Sequence, residues 1–209
     1  MFLHKTPFWF KYLFPSYTWE VKEKSNSLYL TFDDGPIPGV TEFVLEQLKL
    51  YQAKATFFCV GENVKKHPEI FQKIIEGGHR VGNHTYNHLN GWKTADSQYL
   101  DNVEKCAEVL SKYTENQPLD LFRPPYGKIR NSQAGVLKTG YEIIMWGVLT
   151  GDFHSGLSRE VCLSKSVSAT KKGSIIIFHD SIKAERNLRF VLPKFLEHFT
   201  NAGFQFHPL

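Results

Sequence analysis

The stretch "LYLTFDDGP" (residues 28–36) decides how the rest of the chain is read. An apolar run with the composition of a strand ends in two adjacent carboxylates, Asp33 and Asp34, and Gly35-Pro36 follows at once. Neighbouring like charges repel and aspartate is a poor strand residue. Taken alone, the four residues at the end are a turn closed by a side-chain-to-backbone bond. The pair becomes useful only if distant residues supply partners for it.

The chain has 209 residues, enough for one domain with a sizeable core. Hydrophobic residues make up 42% and charged residues 22%, a globular balance. With 25 basic against 21 acidic side chains the net charge of +4 is too mild to indicate nucleic acid. There is no P-loop and no GxGxxG after a strand. The three cysteines, Cys59, Cys106 and Cys162, are odd in number and lack CxxC spacing, so they read as buried apolar residues rather than disulfides or zinc ligands.

The first residues, "MFLHKTPFWFKYLFPSYTWEV", are rich in aromatics but interrupted by Lys5, Pro7, Lys11 and Pro15. They form no classical signal peptide and no transmembrane span. Residues 1–24 therefore read as an arm packed on the domain of residues 25–209, with a membrane-surface role as the alternative. Without a leader the default location is cytoplasmic, and association with the cell envelope stays open.

Working outward from residue 28, strand-like and helix-like segments alternate. "SLYLTF" (27–32), "ATFFCV" (55–60), "RVGNH" (80–84), "DLFRPPYG" (120–127), "YEIIMWGVL" (141–149), "SIIIFHD" (174–180) and "FQFHPL" (204–209) read as strands. Between them, residues 41–52, 63–79, 97–113, 132–140, 158–172 and 190–203 have helical spacing, the last interrupted near Pro193. In residues 97–113 the apolar stripe is Leu100, Val103, Ala107 and Leu110. Strands apolar on both faces, each followed by a helix, predict parallel strands covered by helices, and about seven such units suit a barrel-like α/β fold.

In such folds ligands sit at the C-terminal strand ends. The polar residues closing strands are Asp33-Asp34, His84, Arg123, Asp152 and His179-Asp180. "HTYNH" spaces His84 and His88 four apart, which on a helical turn puts both imidazoles on one face, able to share a metal. The position that holds the base in HExxH is Thr85 here, so Asp33 and Asp34 would have to supply a third ligand and a base. Two histidines and a carboxylate leave coordination positions open for water and substrate. In "RPPYG", Arg123 could orient the base through bidentate bonds, and the Tyr126 N–H could donate to an oxyanion. His179 could protonate a leaving amine, with Asp152 raising its pKa. Each motif alone also has a bland reading: a turn, a surface histidine pair, a proline-rich loop, a hydrogen-bonded strand-end histidine.

Together, "TFDDGP", "HTYNH", "RPPYG" and "IIIFHD", in this order and spacing, resemble the successive motifs of the polysaccharide deacetylase family (carbohydrate esterase family 4, the NodB homology domain), from about Ser27 to the C-terminus. The resemblance implies a distorted (β/α)7 barrel, TIM-like, and metal-dependent removal of N-acetyl groups from a peptidoglycan- or chitin-like glycan. It implies Asp33 as general base and Asp34, His84 and His88 as ligands to a divalent metal, usually zinc, with cobalt, nickel or iron also used. It further implies Arg123 orienting Asp33, Tyr126 N–H on the oxyanion, and His179 as general acid tuned by Asp152. Pro124, Pro125, Trp146, Phe153 and Ile177 would line the substrate pocket. The fourth motif departs: "WGVLTGDFH" has Phe153 where the family has tryptophan and Leu149 at an earlier aspartate position. Two rivals stand beside this reading. One is an amidohydrolase of the same fold acting on a small amide or cyclic imide; the other is a glycan-binding protein with impaired catalysis.

Overall fold

The computed structural model describes residues 3–22, 25–114 and 117–209. β1 (Ser27–Asp33) is buried at every position because both of its faces are covered. Leu28, Leu30 and Phe32 face the layer between sheet and helices, where Phe32 stacks on Phe57 at 5.0 Å and on Phe178 at 5.8 Å. Truncating a buried Phe of this kind costs about 3–5 kcal/mol. Tyr29, Thr31 and Asp33 alternate onto the other face, as a strand requires, and Tyr29 there joins Phe58, Leu121, Ile144 and Ile175 inside the barrel.

The sheet is parallel, in the order β5 (Glu142–Ile143), β4 (Leu121–Phe122), β3 (Arg80–Asn83), β2 (Ala55–Cys59), β1, β7 (Ile175–His179), β6 (Val148–Leu149), and β8 (Gln205–Phe206) pairs with the start of β1. Helices α2 (Val40–Leu50), α3 (Gly61–Lys66), α4 (Pro68–Glu76), α5 (Asp96–Ser111), α6 (Asn131–Leu137), α7 (Arg159–Ala169) and α8 (Glu185–Asn201) intervene. β5 and β6 occupy opposite ends of this order yet follow one another in the chain. The run 142–149 pairs first with β4 (Phe122 with Ile143) and then with β7 (Val148 with Ile176), so one extended segment joins the two edges. Counting that run once gives the distorted (β/α)7 barrel.

The N-terminal residues fill the seam beside this run. Met145 N–H donates to Thr18 C=O at 2.7 Å, Thr6 N–H to Gly147 C=O at 3.0 Å, and Glu20 forms a bridge with Ser174. Between these anchors lies α1 (Phe8–Leu13). The arm boundary expected at residue 24 lies outside the described residues.

Four expectations are corrected. The helix expected over 63–79 is two helices, because Pro68 takes the first position of α4 and His67 leaves the helical region. The interruption expected at Pro193 does not occur: α8 runs through it, forfeiting the one N–H···O=C bond that proline cannot make. The buried stripe of α5 is Tyr99, Val103, Cys106 and Leu110, so Leu100 and Ala107 sit at its margin. The fourth concerns "HTYNH" and belongs with the site.

The register places the site. Asp33 lies opposite His179 on one side of β1, and Asn83, which precedes His84, lies opposite Phe122, which precedes Arg123. Strands lie about 4.8 Å apart, so the polar residues that end β1, β3, β4 and β7 converge on the same mouth of the barrel.

Candidate active site

Asp33 and Asp34 leave β1 in different directions because the backbone turns sharply between them. Asp34 has φ 87, in the left-handed region, and Asn63 Nδ2 holds its carbonyl at 2.7 Å. The Asp33 carboxyl is buried and accepts from Arg123 Nη1 at 2.7 Å. Arg123 is itself fully buried and also donates to Thr31 Oγ1 (2.7 Å), Ile144 C=O (3.2 Å) and Met145 C=O (3.0 Å). The guanidinium is thereby fixed at four acceptors and in turn fixes Asp33.

Asp34 instead faces imidazoles. Its Oδ1 lies 3.2 Å from His88 Nε2 and 3.8 Å from His84 Nε2, and the three ligand atoms lie within 4.8 Å of one another. His84 Nδ1–H donates to Arg123 C=O at 2.7 Å, which leaves the Nε2 lone pair toward the carboxylate. Burial lowers the pKa of both histidines, well below the usual value for His84, and so keeps them in the neutral form that ligates a metal. An Asp-His-His set with neutral, oriented imidazoles fits a divalent cation with positions left for water and substrate.

The histidine pair is not on a helical turn, contrary to the expectation from its spacing. Thr85 and His88 have φ 63 and 55, which no right-handed helix accommodates. Side chains override local helix formation. Asn83 Oδ1 accepts from Thr85 N–H at 2.9 Å, and Asn102 Oδ1, from α5, accepts from Tyr86 N–H at 2.8 Å and Asn87 N–H at 3.0 Å. Three residues of this site, Asp34, Thr85 and His88, thus share a backbone conformation that non-glycine residues rarely adopt, and a fourth, Tyr126, joins them with φ 61.

The loop after β4 carries Pro124, Pro125 and Tyr126. Its bonds are made by Tyr126's neighbours, Gly127 N–H to Pro124 C=O at 2.9 Å and Lys128 N–H to Pro125 C=O at 3.1 Å. The Tyr126 ring lies 4.6 Å from that of His88. Trp146 closes the far side of the loop: a methyl group built on Gly127 would stand 2.7 Å from its ring.

Across the mouth, His179 Nδ1–H donates to Asp152 Oδ1 at 2.8 Å and its backbone N–H donates to Asp152 Oδ2 at 2.7 Å. Burial alone would lower the His179 pKa, but the carboxylates of Asp152, Asp34 and Asp33 outweigh it and raise the pKa to about 9. Phe153 packs edge-on against His179 at 5.0 Å, and Ile177 is buried two residues before it in β7. All the expected catalytic and metal-binding positions are therefore brought to one mouth, with Pro124, Pro125, Trp146, Phe153 and Ile177 around them.

Supporting residues went unassigned in the sequence. Asp180, buried, accepts from Gly35 N–H at 3.1 Å and from Thr41 Oγ1 at 2.6 Å, which pins the turn that carries Asp34. Asn187 Nδ2 donates to Asp152 C=O at 3.0 Å. Asp180 directly follows His179 at a strand end, and that was the available signal; the partners Thr41, Asn102 and Asn187 come from helices with no motif of their own.

The polysaccharide deacetylase family model matches residues 20–144. A peptidoglycan-N-acetylglucosamine deacetylase of Bacillus cereus is 31% identical over 196 residues, 90% of this chain and 89% of that protein. A chitooligosaccharide deacetylase of Azorhizobium caulinodans is 31% identical over 161 residues, 77% of this chain and 76% of that one. The crystal structure of a peptidoglycan N-acetylglucosamine deacetylase in complex with 4-naphthalen-1-yl-N-oxidanyl-benzamide superposes with a TM-score of 0.88 at 31% identity, over 98% of this chain and 95% of that chain. The chain belongs to the polysaccharide deacetylase family.

Proposed function

We propose that this protein is a metal-dependent hydrolase that removes N-acetyl groups from amino sugars of a peptidoglycan- or chitin-like glycan, releasing acetate. The observation that carries the reading is the different company of two adjacent carboxylates: Asp33 accepts from Arg123 at 2.7 Å and brings its other oxygen only to 4.0 Å from His84, whereas Asp34 lies 3.2 Å from His88 and 3.8 Å from His84. A binding protein needs no such division. The B. cereus and A. caulinodans relatives, named for peptidoglycan N-acetylglucosamine and chitooligosaccharide, support the substrate class.

Asp34, His84 and His88 would hold a divalent cation, zinc first. That ion supplies Lewis-acid polarisation of an amide carbonyl and of water. Asp33, oriented by Arg123, takes the proton from the water that attacks the acetyl carbon. The Tyr126 N–H donates to the oxygen that becomes negative. His179, protonated at neutral pH with Asp152 behind it, delivers its proton to the nitrogen as the C–N bond breaks. The products are acetate and a free amine. Ile177, Phe153 and Trp146, with Pro124 and Pro125, shape the space for the acetyl methyl and the sugar ring.

The test is acetate release by the zinc-loaded protein from peptidoglycan, chitin oligomers and N-acetylated monosaccharides, with metal content assayed alongside. Release that rises with oligomer length and stops on chelation is expected. Turnover of small amides or cyclic imides in place of glycans would replace this reading with that of a small-amide hydrolase. Glycan binding without turnover would leave only the binding role.

A further inference from the structure

The active site leaves the N-terminal aromatics unexplained. Leu3, Phe8, Trp9, Tyr12, Leu13 and Phe14 are all exposed, Phe8 at 74% and Tyr12 at 79%. On α1, Phe8 and Tyr12 are four apart, as are Trp9 and Leu13, so these four share one face. The opposite face is already used: Phe10 packs inward, its ring 6.0 Å from that of Trp19. The outward face is apolar, with the Phe8 and Tyr12 rings edge to face at 6.3 Å, and clustered exposed apolar side chains of this kind mark interaction sites.

We infer that this face docks on an anionic lipid bilayer, with the aromatic rings at the boundary between headgroups and acyl chains. Trp and Tyr, each apolar with a polar tip, are the residues of that boundary, and Phe and Leu supply the buried area. The charges around the patch select the partner. Beside α1 a cavity of about 370 Å³ is lined by Lys5, Lys11 and Lys171, and the one acid in its lining is Glu20, which Lys11 and Lys171 share. Three cations against one anion leave that cavity positive. A positive cluster beside an apolar face, the two meeting at Phe8, fits a surface of negative headgroups. A second copy of the chain seated on the same face would set lysine cluster against lysine cluster. Among the described residues no helix is long and apolar enough to cross a membrane. None of the residues that converge on the barrel mouth lies in the patch. The inference does not rest on the deacetylase reading.

The experiment is flotation of the intact protein with vesicles of phosphatidylethanolamine and phosphatidylglycerol, against vesicles of phosphatidylcholine alone. The protein is expected to float with the anionic vesicles and to be released by high salt. A Phe8→Ser/Tyr12→Ser/Leu13→Ser variant, which removes the three most exposed side chains of α1 and spares Trp9 on Phe10, should lose at least tenfold in bound fraction, while its thermal unfolding and its acetate release from a soluble chitin oligomer stay as in the parent. A Lys5→Glu/Lys171→Glu variant, with the aromatic face intact, should lose the preference for anionic lipid. Failure to float with either vesicle overturns the inference. So does equal partition onto both, or a concentration-dependent dimer in lipid-free solution that the serine substitutions abolish.

Discussion

Arg123 donates through Nη1 to Oδ1 of Asp33 at 2.7 Å with both groups removed from water, and its guanidinium carbon lies 4.1 Å from the centroid of the Phe58 ring. Removing one member of such a pair strands the other charge in the interior, at about 3–5 kcal/mol. Arg123→Met is therefore expected to destabilise the fold by that order in denaturant titrations. Arg123→Lys keeps the charge but cannot reach Thr31, Ile144 and Met145 with a planar fork. It should fold better than the Met variant and still lose most of kcat, because Asp33 is no longer held toward the water.

The split between the two aspartates gives a second expectation. Asp33→Asn should abolish turnover, by at least a hundredfold, and leave the bound zinc content unchanged. Asp34→Asn removes the only carboxylate among the three candidate ligands and should lower zinc occupancy after dialysis. Metal analysis of both variants by mass spectrometry checks this. Loss of zinc in the Asp33 variant would contradict the assignment of roles.

A third concerns Asp180, which has no direct part in the proposed chemistry. Asp180→Ala leaves Gly35 N–H and the Thr41 hydroxyl without their acceptor, and an orphaned buried group costs about 1–3 kcal/mol. Gly35→Ala attacks the same contact from the other side, since a methyl group there would stand 1.9 Å from Asp180 Oδ2. Both should lower the melting temperature, and both should weaken zinc binding by shifting Asp34. Unchanged zinc affinity in variants that are destabilised would confine Asp180 to a structural role.

The central strand and the order of polar strand ends were legible because they depend on local pattern. Apolar runs buried on both faces precede or contain Asp33 and His179, and His84 and Arg123 follow the shorter strands between them. The conformation of residues 84–88 was not legible: the four-residue spacing suggests a helix, and what prevents one is Asn102, fourteen residues beyond His88 on α5. The same holds for the run 142–149. Its apolar pattern shows a strand but not that its two halves pair with opposite edges of the sheet. Pro193 misled for another reason. Its helix is held by packing of Leu188, Val191, Leu192, Phe195 and Leu196, which outweighs one missing hydrogen bond.

The last prediction follows from His179 and Asp152. Burial acts to lower the pKa of His179, yet Asp152 at 2.8 Å, together with Asp34 and Asp33, lifts it from 6.5 to about 9. The raised value means that folding favours the protonated ring. Its contribution to stability is complete below about pH 6.5 and is lost as pH rises through about 9. A general acid must carry its proton, so turnover should fall on the alkaline side as His179 deprotonates. A cation held by Asp34 cancels part of that residue's charge, so the loaded enzyme should lose the proton at lower pH than the metal-free protein. Asp152→Asn removes the largest of the raising influences and should move the alkaline limb of the rate profile to lower pH. Titration of the His179 ring by NMR in the metal-free protein should shift the same way. An alkaline limb unmoved by Asp152→Asn would assign that limb to another group and remove His179 from the role of acid.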